Sequence, residues 1–259
     1  MSNPVPVLTQ SNNPAGADCW EIAKVTCSRS AGTFDRTTNS YKYPFFLGLM
    51  NELRQRQFDA ATPIPLKDVV VEMLARAWRA HYTHQLKFGA QDQITKKLKE
   101  LNDALPKSLF RVRDVSPTDL KGIIQGRVAD STIELLRYVP FRLIRPFFEQ
   151  ELRGTKDAQV NQKILVLSQD EFETRKPLYT FSDDQQVIVL YSDWVTYLQE
   201  NDAQIQQWAF DAWVEYMKRC NLGVDHIASK LPLTLLILTL HSGGLNWHRH
   251  LLFDANIAS

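Results

Sequence analysis

The sequence predicts an α+β protein that is mainly helical, with a small antiparallel sheet inserted between its helices. Three observations predict this fold class. Apolar residues recur every three or four positions along several segments, which is typical of helices with one buried face. Short β-rich runs are confined to one stretch, about 163–191. The 259 residues are 44% hydrophobic and 23% charged, so the chain has an ordinary globular composition and can bury a core.

The clearest helix covers residues 205–220. Asn201 is its predicted N-cap, with Gln204 three residues on as partner in a capping box. Asn221 or Gly223 can supply the left-handed residue that ends it. The apolar residues at helical spacing are Ile205, Trp208, Ala209, Ala212, Trp213, Tyr216 and Met217. This stripe predicts a helix that packs in the core and indicates no cofactor site.

Further helices are predicted on both sides of a proline-containing loop. One begins near Tyr43, and a second covers 66–82 with Pro65 in its first turn. A third runs from about 91 to 105 with four apolar residues on one side. A fourth begins at Ser116, which is followed by a proline and an acidic residue, and we expect it to continue to about residue 138.

Three short runs predict the sheet, at 163–167, 178–181 and 187–191. Each is rich in β-branched or aromatic residues, and polar turn residues separate them. Ser192 then caps a short helix that leads to the helix at 205–220. A small sheet between helical segments follows from this order.

The domain organisation is predicted from the same patterns. Residues 1–40 offer few periodic apolar residues and are expected to form a flexible arm and loop. Residues 41–230 form the mainly helical domain, in which Pro140 and Pro146 break one segment into short pieces. Residues 231–259 form a C-terminal tail.

Composition limits the compartment and the class of partner. The formal net charge of +1 gives no global bias toward nucleic acid or membranes. Three cysteines without a CxxC pair indicate reduced thiols. The N-terminus shows no secretory signal, and the longest apolar run, 231–240, is about half of a membrane span. We therefore expect a cytoplasmic protein with no membrane partner.

Charge is unevenly distributed along the chain. Residues 107–145 contain eight basic and four acidic side chains, a net of +4, whereas 157–215 contain three basic and eleven acidic ones, a net of −8. Arginine suits phosphate because its guanidinium offers paired donors, and nearby aromatic rings could stack on unpaired bases. The predicted nucleic-acid contacts are Arg111, Arg113, Arg142 and Arg145, and the neighbouring aromatics are Tyr138, Phe141, Phe147 and Phe148. The alternative is that these arginines form a solvated face and the phenylalanines belong to the core.

Histidines offer a second kind of candidate chemistry. His81 and His84 lie three residues apart on a helix, but no neighbouring carboxylate or cysteine completes a metal site. His241, His248 and His250 cluster near the C-terminus, and three imidazoles can hold a divalent metal ion. The sequence contains no GxSxG, P-loop, GxGxxG or HExxH motif. Apart from that metal ion, no cofactor is expected.

Three stretches of the sequence carry motifs in a defined order. The first contains YKYPFFLGLMNELRQRQ, the helix start IPL, the pair AW and the element FGAQD. The second is RYVPFRLIRPFF, and the third is DWVTYLQENDAQIQQWAFDAWVEYMKRCN followed by HIASKL. Together they cover residues 41–231 and resemble the N-terminal helical region of bacterial HNH endonuclease-domain proteins. The resemblance implies a bracket of helices that leads into a ββα-metal nuclease unit.

The resemblance does not extend to the nuclease residues. Residues 231–259 match no spaced Asp-His, Asn and His, so no catalytic residue is carried over, and we expect the tail to be a remnant of a lost nuclease unit. The function expected is that of a non-catalytic helical module that positions nucleic acid or docks a partner subunit in a bacterial defence or mobile-element context. The alternatives are a metal-dependent DNA endonuclease that uses the terminal histidines and a purely structural interaction subunit.

Overall fold

Helices and one small sheet share a hydrophobic core, so the predicted α+β class is confirmed. The computed structural model describes residues 40–89, 93–104, 117–126, 135 and 137–232. The α-helices are α1 (Lys42–Gln55), α2 (Leu66–Trp78), α3 (Gln93–Ala104), α4 (Pro117–Gln125), α5 (Val139–Ile144), α6 (Asp157–Asp170), α7 (Phe172–Arg175), α8 (Ser192–Glu200), α9 (Asp202–Cys220) and α10 (Ile227–Lys230). A π-helix, Arg79–Thr83, continues α2, and a 3-10 helix, Arg145–Phe148, continues α5. The strands are β1 (Ile64–Pro65), β2 (Tyr179–Phe181) and β3 (Val187–Leu190).

Helices α1 and α2 form the centre of the core, and α9 packs against α1. The end of α1 lies beside the start of α2, where Arg56 Nη2 is 3.0 Å from Asp68 Oδ2, so the two helices are antiparallel neighbours. A Cβ placed on Gly48 of α1 would lie 2.9 Å from the Val69 carbonyl oxygen and 3.1 Å from the Glu72 Cβ of α2. Glycine therefore permits the close approach of the two helices.

Helix α9 confirms the predicted core stripe. Of the seven residues in the predicted stripe, Trp208 and Ala212 are half-buried against the core and five are buried: Ile205, Ala209, Trp213, Tyr216 and Met217. The predicted capping box at the start of α9 does not form. Asn201 does precede the helix, but its Nδ2 donates to the Tyr197 carbonyl at 2.9 Å and makes no cap to α9. Gly223 has a φ of +81°, the left-handed conformation expected just beyond the helix.

The sheet is antiparallel, with the strand order β1-β3-β2. Two of its strands were predicted, at 178–181 and 187–191. The third was not, because Ile64 and Pro65 are too few to show an alternating pattern. Proline cannot donate to a ladder, which agrees with its place on an edge strand. Pro65 therefore belongs to β1 and precedes the first turn of α2.

The run at 163–167 is not a strand but part of α6. Val160, Ile164, Leu165 and Ser168 are buried, whereas Val166 is exposed. This spacing of four, five and eight residues is helical. The apolar run suggested a strand because α6 buries only a narrow stripe and its exposed face also carries apolar residues. The helix packs on α5 and β2.

The predicted helices at 66–82 and 91–105 agree with the structure in location. The helix predicted from Ser116 to about residue 138 is too long, because α4 ends at Gln125 and residues 137 and 138 form a turn. The predicted helix at 66–82 is α2 followed by the π-helix, and the one at 91–105 is α3. Ser192 is the first residue of α8 and makes no cap to it. Residues 1–39, Ser116 and 233–259 lie outside the described residues. Among the helices that the structure does describe, none combines the length and the apolar character needed to cross a bilayer.

Candidate functional site

Helix α5 and the following 3-10 helix are held in place by their apolar side chains. The Phe141 ring stacks on Phe181 of β2, with ring centroids 4.4 Å apart and 19° between the ring planes. The Tyr179 hydroxyl donates to the Pro140 carbonyl at 2.6 Å. Ile144 and Phe148 are fully buried. Because these residues occupy the inner face, the arginines of the segment are left on the outer one.

Arg142 and Arg145 lie on this outer face but in different environments. The Arg142 side chain is only 12% exposed, and its Nη2 pairs with the Asp157 Oδ1 of α6 at 2.9 Å. Asp157 itself is 82% exposed, so the pair lies at the surface. Arg145 is exposed. The two arginines therefore differ, because Arg142 already has a carboxylate partner whereas Arg145 faces solvent.

Lys42, the first residue of α1, completes a cluster with these arginines. Its side chain is half-buried. Burial lowers the pKa of the Lys42 ammonium, and the positive charges of Arg145 and Arg142 lower it further. Within the described residues, neither the Lys42 ammonium nor the Arg145 guanidinium has a hydrogen-bond or ion-pair partner. We refer to Lys42, Arg142 and Arg145 as the cation cluster.

The cation cluster has the chemistry of an anion site. Placing like charges together in a partly buried position is unfavourable unless an anion compensates them. An ammonium and guanidinium groups are the side chains that bind phosphate or carboxylate oxygens through charge-assisted hydrogen bonds. Tyr43, the neighbour of Lys42, is buried and lies 6.1 Å from the Tyr216 ring, which holds the first turn of α1 in position.

No family model, curated protein or solved structure matches this chain. The resemblance to HNH endonuclease-domain proteins therefore stays a prediction.

The predicted contacts and aromatic rings are distributed as follows. Arg111 and Arg113 lie outside the described residues. Phe141 and Phe148 belong to the core, and Phe147 is half-buried with its ring edge-on to Trp194 at 5.7 Å. Tyr138 is exposed. Sequence reasoning missed Lys42, because a single lysine at a helix start, far along the chain from the arginines, carries no local signal.

Of the histidines named from the sequence, His81 and His84 lie within the described residues. The His81 ring lies 3.2 Å, by Nδ1, from the Leu86 carbonyl and packs edge-on against Tyr82. Burial lowers the pKa of His84, with smaller contributions from Arg79 and Lys230. No group of three or more His, Cys, Asp or Glu side chains in this part of the chain could hold a metal ion. His241, His248 and His250 lie outside it.

A second charged group lies in the interior between α1, α2 and α4. The buried Glu72 carboxylate accepts from Asn51 Nδ2 at 2.7 Å and Gln55 Nε2 at 3.3 Å, and it pairs with Lys121 of α4. Nearby, the buried Glu52 pairs with Arg56, whose Nη2 also bonds Asp68 Oδ2 at 3.0 Å. Each of these carboxylates already has a cation, so this network ties the three helices together.

Proposed function

We propose that this chain is a non-catalytic, nucleic-acid-binding helical module and that its cation cluster contacts phosphate. The observation that supports the proposal most is the half-buried Lys42 ammonium, whose pKa is lowered by burial and by the positive charges of Arg145 and Arg142. No carboxylate of the described residues pairs with it. A phosphate group would supply the charge that the cluster lacks. The HNH-like bacterial defence or mobile-element context, and the docking of a partner subunit, are part of the same proposal.

Arg145 and Lys42 are the primary phosphate contacts on this proposal. Both are available without breaking an existing bond in the described part of the structure. Arg142 has a supporting role, since its Nη2 is already bonded to Asp157. The contacts of Phe141 and Pro140 with β2 hold the segment that carries Arg142 and Arg145 in position.

Binding of labelled 20-mer DNA and RNA oligonucleotides, single-stranded and duplex, tests this function. We expect binding at low salt, and a loss of about tenfold or more in affinity in the Lys42→Ala/Arg145→Ala double variant, because two phosphate contacts disappear. Lys67→Ala is the matched control: Lys67 is exposed on the first turn of α2, at the other end of α1 from Lys42. Absence of binding at low salt, or equal affinity in the double variant, would overturn the proposal.

A further inference from the structure

Tyr138 is an exposed aromatic residue beside the cation cluster. Its side chain is 54% exposed, and it is the one aromatic among the large exposed hydrophobic residues of the described chain. The Arg142 amide donates to the Tyr138 carbonyl at 3.0 Å, so Tyr138 lies directly before the first turn of α5. Tyr138, Arg142 and Arg145 are spaced as i, i+4 and i+7. The bond between the Arg142 amide and the Tyr138 carbonyl places Arg142 one helical turn beyond Tyr138, and Arg145 begins the 3-10 helix that follows.

The neighbouring aromatic rings are already engaged in the core. Phe141 stacks on Phe181, Phe147 packs edge-on against Trp194, and Phe148 is fully buried. Core packing therefore accounts for them. It does not account for Tyr138, which is exposed one helical turn before Arg142.

We propose that the Tyr138 ring stacks on an unpaired base and that the ligand of this site is single-stranded nucleic acid. This inference rests on the proposed function and adds the ligand class to it. In a duplex, the flat faces of the bases are covered by their neighbours, whereas a single strand can present a base to an aromatic ring. The cation cluster then contacts the flanking phosphates. The combination of a basic groove and stacking rings is what sequence-tolerant single-strand binding requires.

The test compares affinities for single strands and duplexes in matched variants. The probes are labelled oligo-dT and oligo-U 20-mers and a mixed-sequence DNA duplex of equal length. We expect tighter binding of the single strands, with a loss of about tenfold in Tyr138→Ala and little loss in Tyr138→Trp, which keeps a stacking ring. Duplex affinity is expected to change less than about twofold in either variant, because phosphate contacts dominate it.

Leu222→Ala is the control for removing exposed apolar surface, because Leu222 is 87% exposed. A Tyr138→Ala protein that binds single strands as tightly as the wild type overturns the inference, and so does wild-type protein that binds the duplex as tightly as the single strands. If Lys42→Ala/Arg145→Ala weakens binding in that case, only the stacking inference fails. If no oligonucleotide binds, the proposed function fails with it. The oligo-dT and oligo-U arms distinguish DNA from RNA.

Discussion

The Lys42 ammonium occupies an environment that favours a bound anion. It is half-buried and has two arginines as its charged neighbours. Burial and like charge both disfavour its protonated form, which is why its pKa is lowered. Among the arginines, Asp157 already compensates part of the Arg142 charge at 2.9 Å. At the scale of single residues, Asp157 is therefore a competitor of any phosphate that binds the cation cluster.

Replacing Asp157 by Asn is expected to strengthen nucleic-acid binding by about threefold, because it releases the Arg142 guanidinium and removes a repelling charge at the site. The measurement is the dissociation constant of an oligonucleotide at low salt. Asp170→Asn is the matched control, since Asp170 is exposed at the other end of α6. Weaker binding in Asp157→Asn than in Asp170→Asn would contradict the role given to Arg142.

The candidate site was only partly predictable at this scale. Arg142 and Arg145 could be chosen because they have helical spacing in a basic stretch and aromatic residues lie close to them in the sequence. Lys42 could not, because its proximity to them depends on the packing of α1 against α5. Nor could the sequence distinguish Tyr138 from Phe141 and Phe148. Their different exposures depend on which rings the sheet and α8 cover.

Close packing of α1 against α2 organises the core at the scale of elements. Gly48 permits that contact, whereas a methyl group placed on Gly122 of α4 would have no other atom within 4 Å. The two glycines therefore differ in what a side chain would meet. Comparing alanine substitutions at these two positions separates the destabilisation caused by overpacking from the general effect of alanine on helix stability.

Gly48→Ala is expected to lower the free energy of unfolding by about 2 kcal/mol, because the new methyl group would push against the α2 backbone. Gly122→Ala is expected to raise it by about 0.5–1 kcal/mol, because alanine restricts the unfolded chain and favours the helix. Urea unfolding of both variants measures the difference. Equal effects of the two substitutions would be inconsistent with the close α1–α2 contact.

The buried Glu52 of α1 makes the stability of this element depend on pH. Burial raises the pKa of Glu52, although the bond and charge of Arg56 lower it. Glu72 adds to the rise, and Lys121 opposes it. Because the folded-state pKa is the higher one, protonation stabilises the fold at low pH. This contribution is lost as the pH rises from the ordinary glutamate pKa through the folded-state pKa.

Glu52→Gln removes this titration. The free energy of unfolding of the variant, minus that of the wild type, is therefore expected to increase as the pH rises from about 4 to about 7. Denaturant unfolding at several pH values measures it. A difference that stays constant or decreases with pH would show that the Arg56 ion pair, and not burial, dominates at Glu52.

Most elements were predictable from periodicity because their buried residues recur at regular spacing. The apolar stripes predicted for helices α1, α2, α3 and α9 pack into the core of the structure. Helix α6 was missed because the run 163–167 contains adjacent apolar residues on opposite faces, which favours a strand locally. Strand β1 was missed because it has only two residues and exists through its pairing with β3.

At the scale of the whole molecule, the antiparallel packing of α1 and α9 gives the helical core two different ends. Tyr43 lies near Tyr216 at one end, and Arg54 pairs with Asp202 at the other, with Nη2 2.6 Å from Oδ2. Arg56 pairs with Asp68 at that second end. The cations there have carboxylate partners, whereas Lys42 lies at the first end without one in the described residues. On the proposed function, we expect an anionic ligand to bind at the end that carries the cation cluster.

The salt dependence of nucleic-acid binding tests the phosphate-binding role of the cation cluster most directly. We predict that the logarithm of the association constant for a single-stranded 20-mer falls linearly with the logarithm of the salt concentration. Each phosphate contact contributes about −0.7 to the slope, so Lys42→Ala/Arg145→Ala is expected to make the slope less steep by about 1.4 relative to wild type, and Lys67→Ala to leave it unchanged. A wild-type slope near zero, or one that the double variant leaves unchanged, would contradict phosphate binding at Lys42 and Arg145.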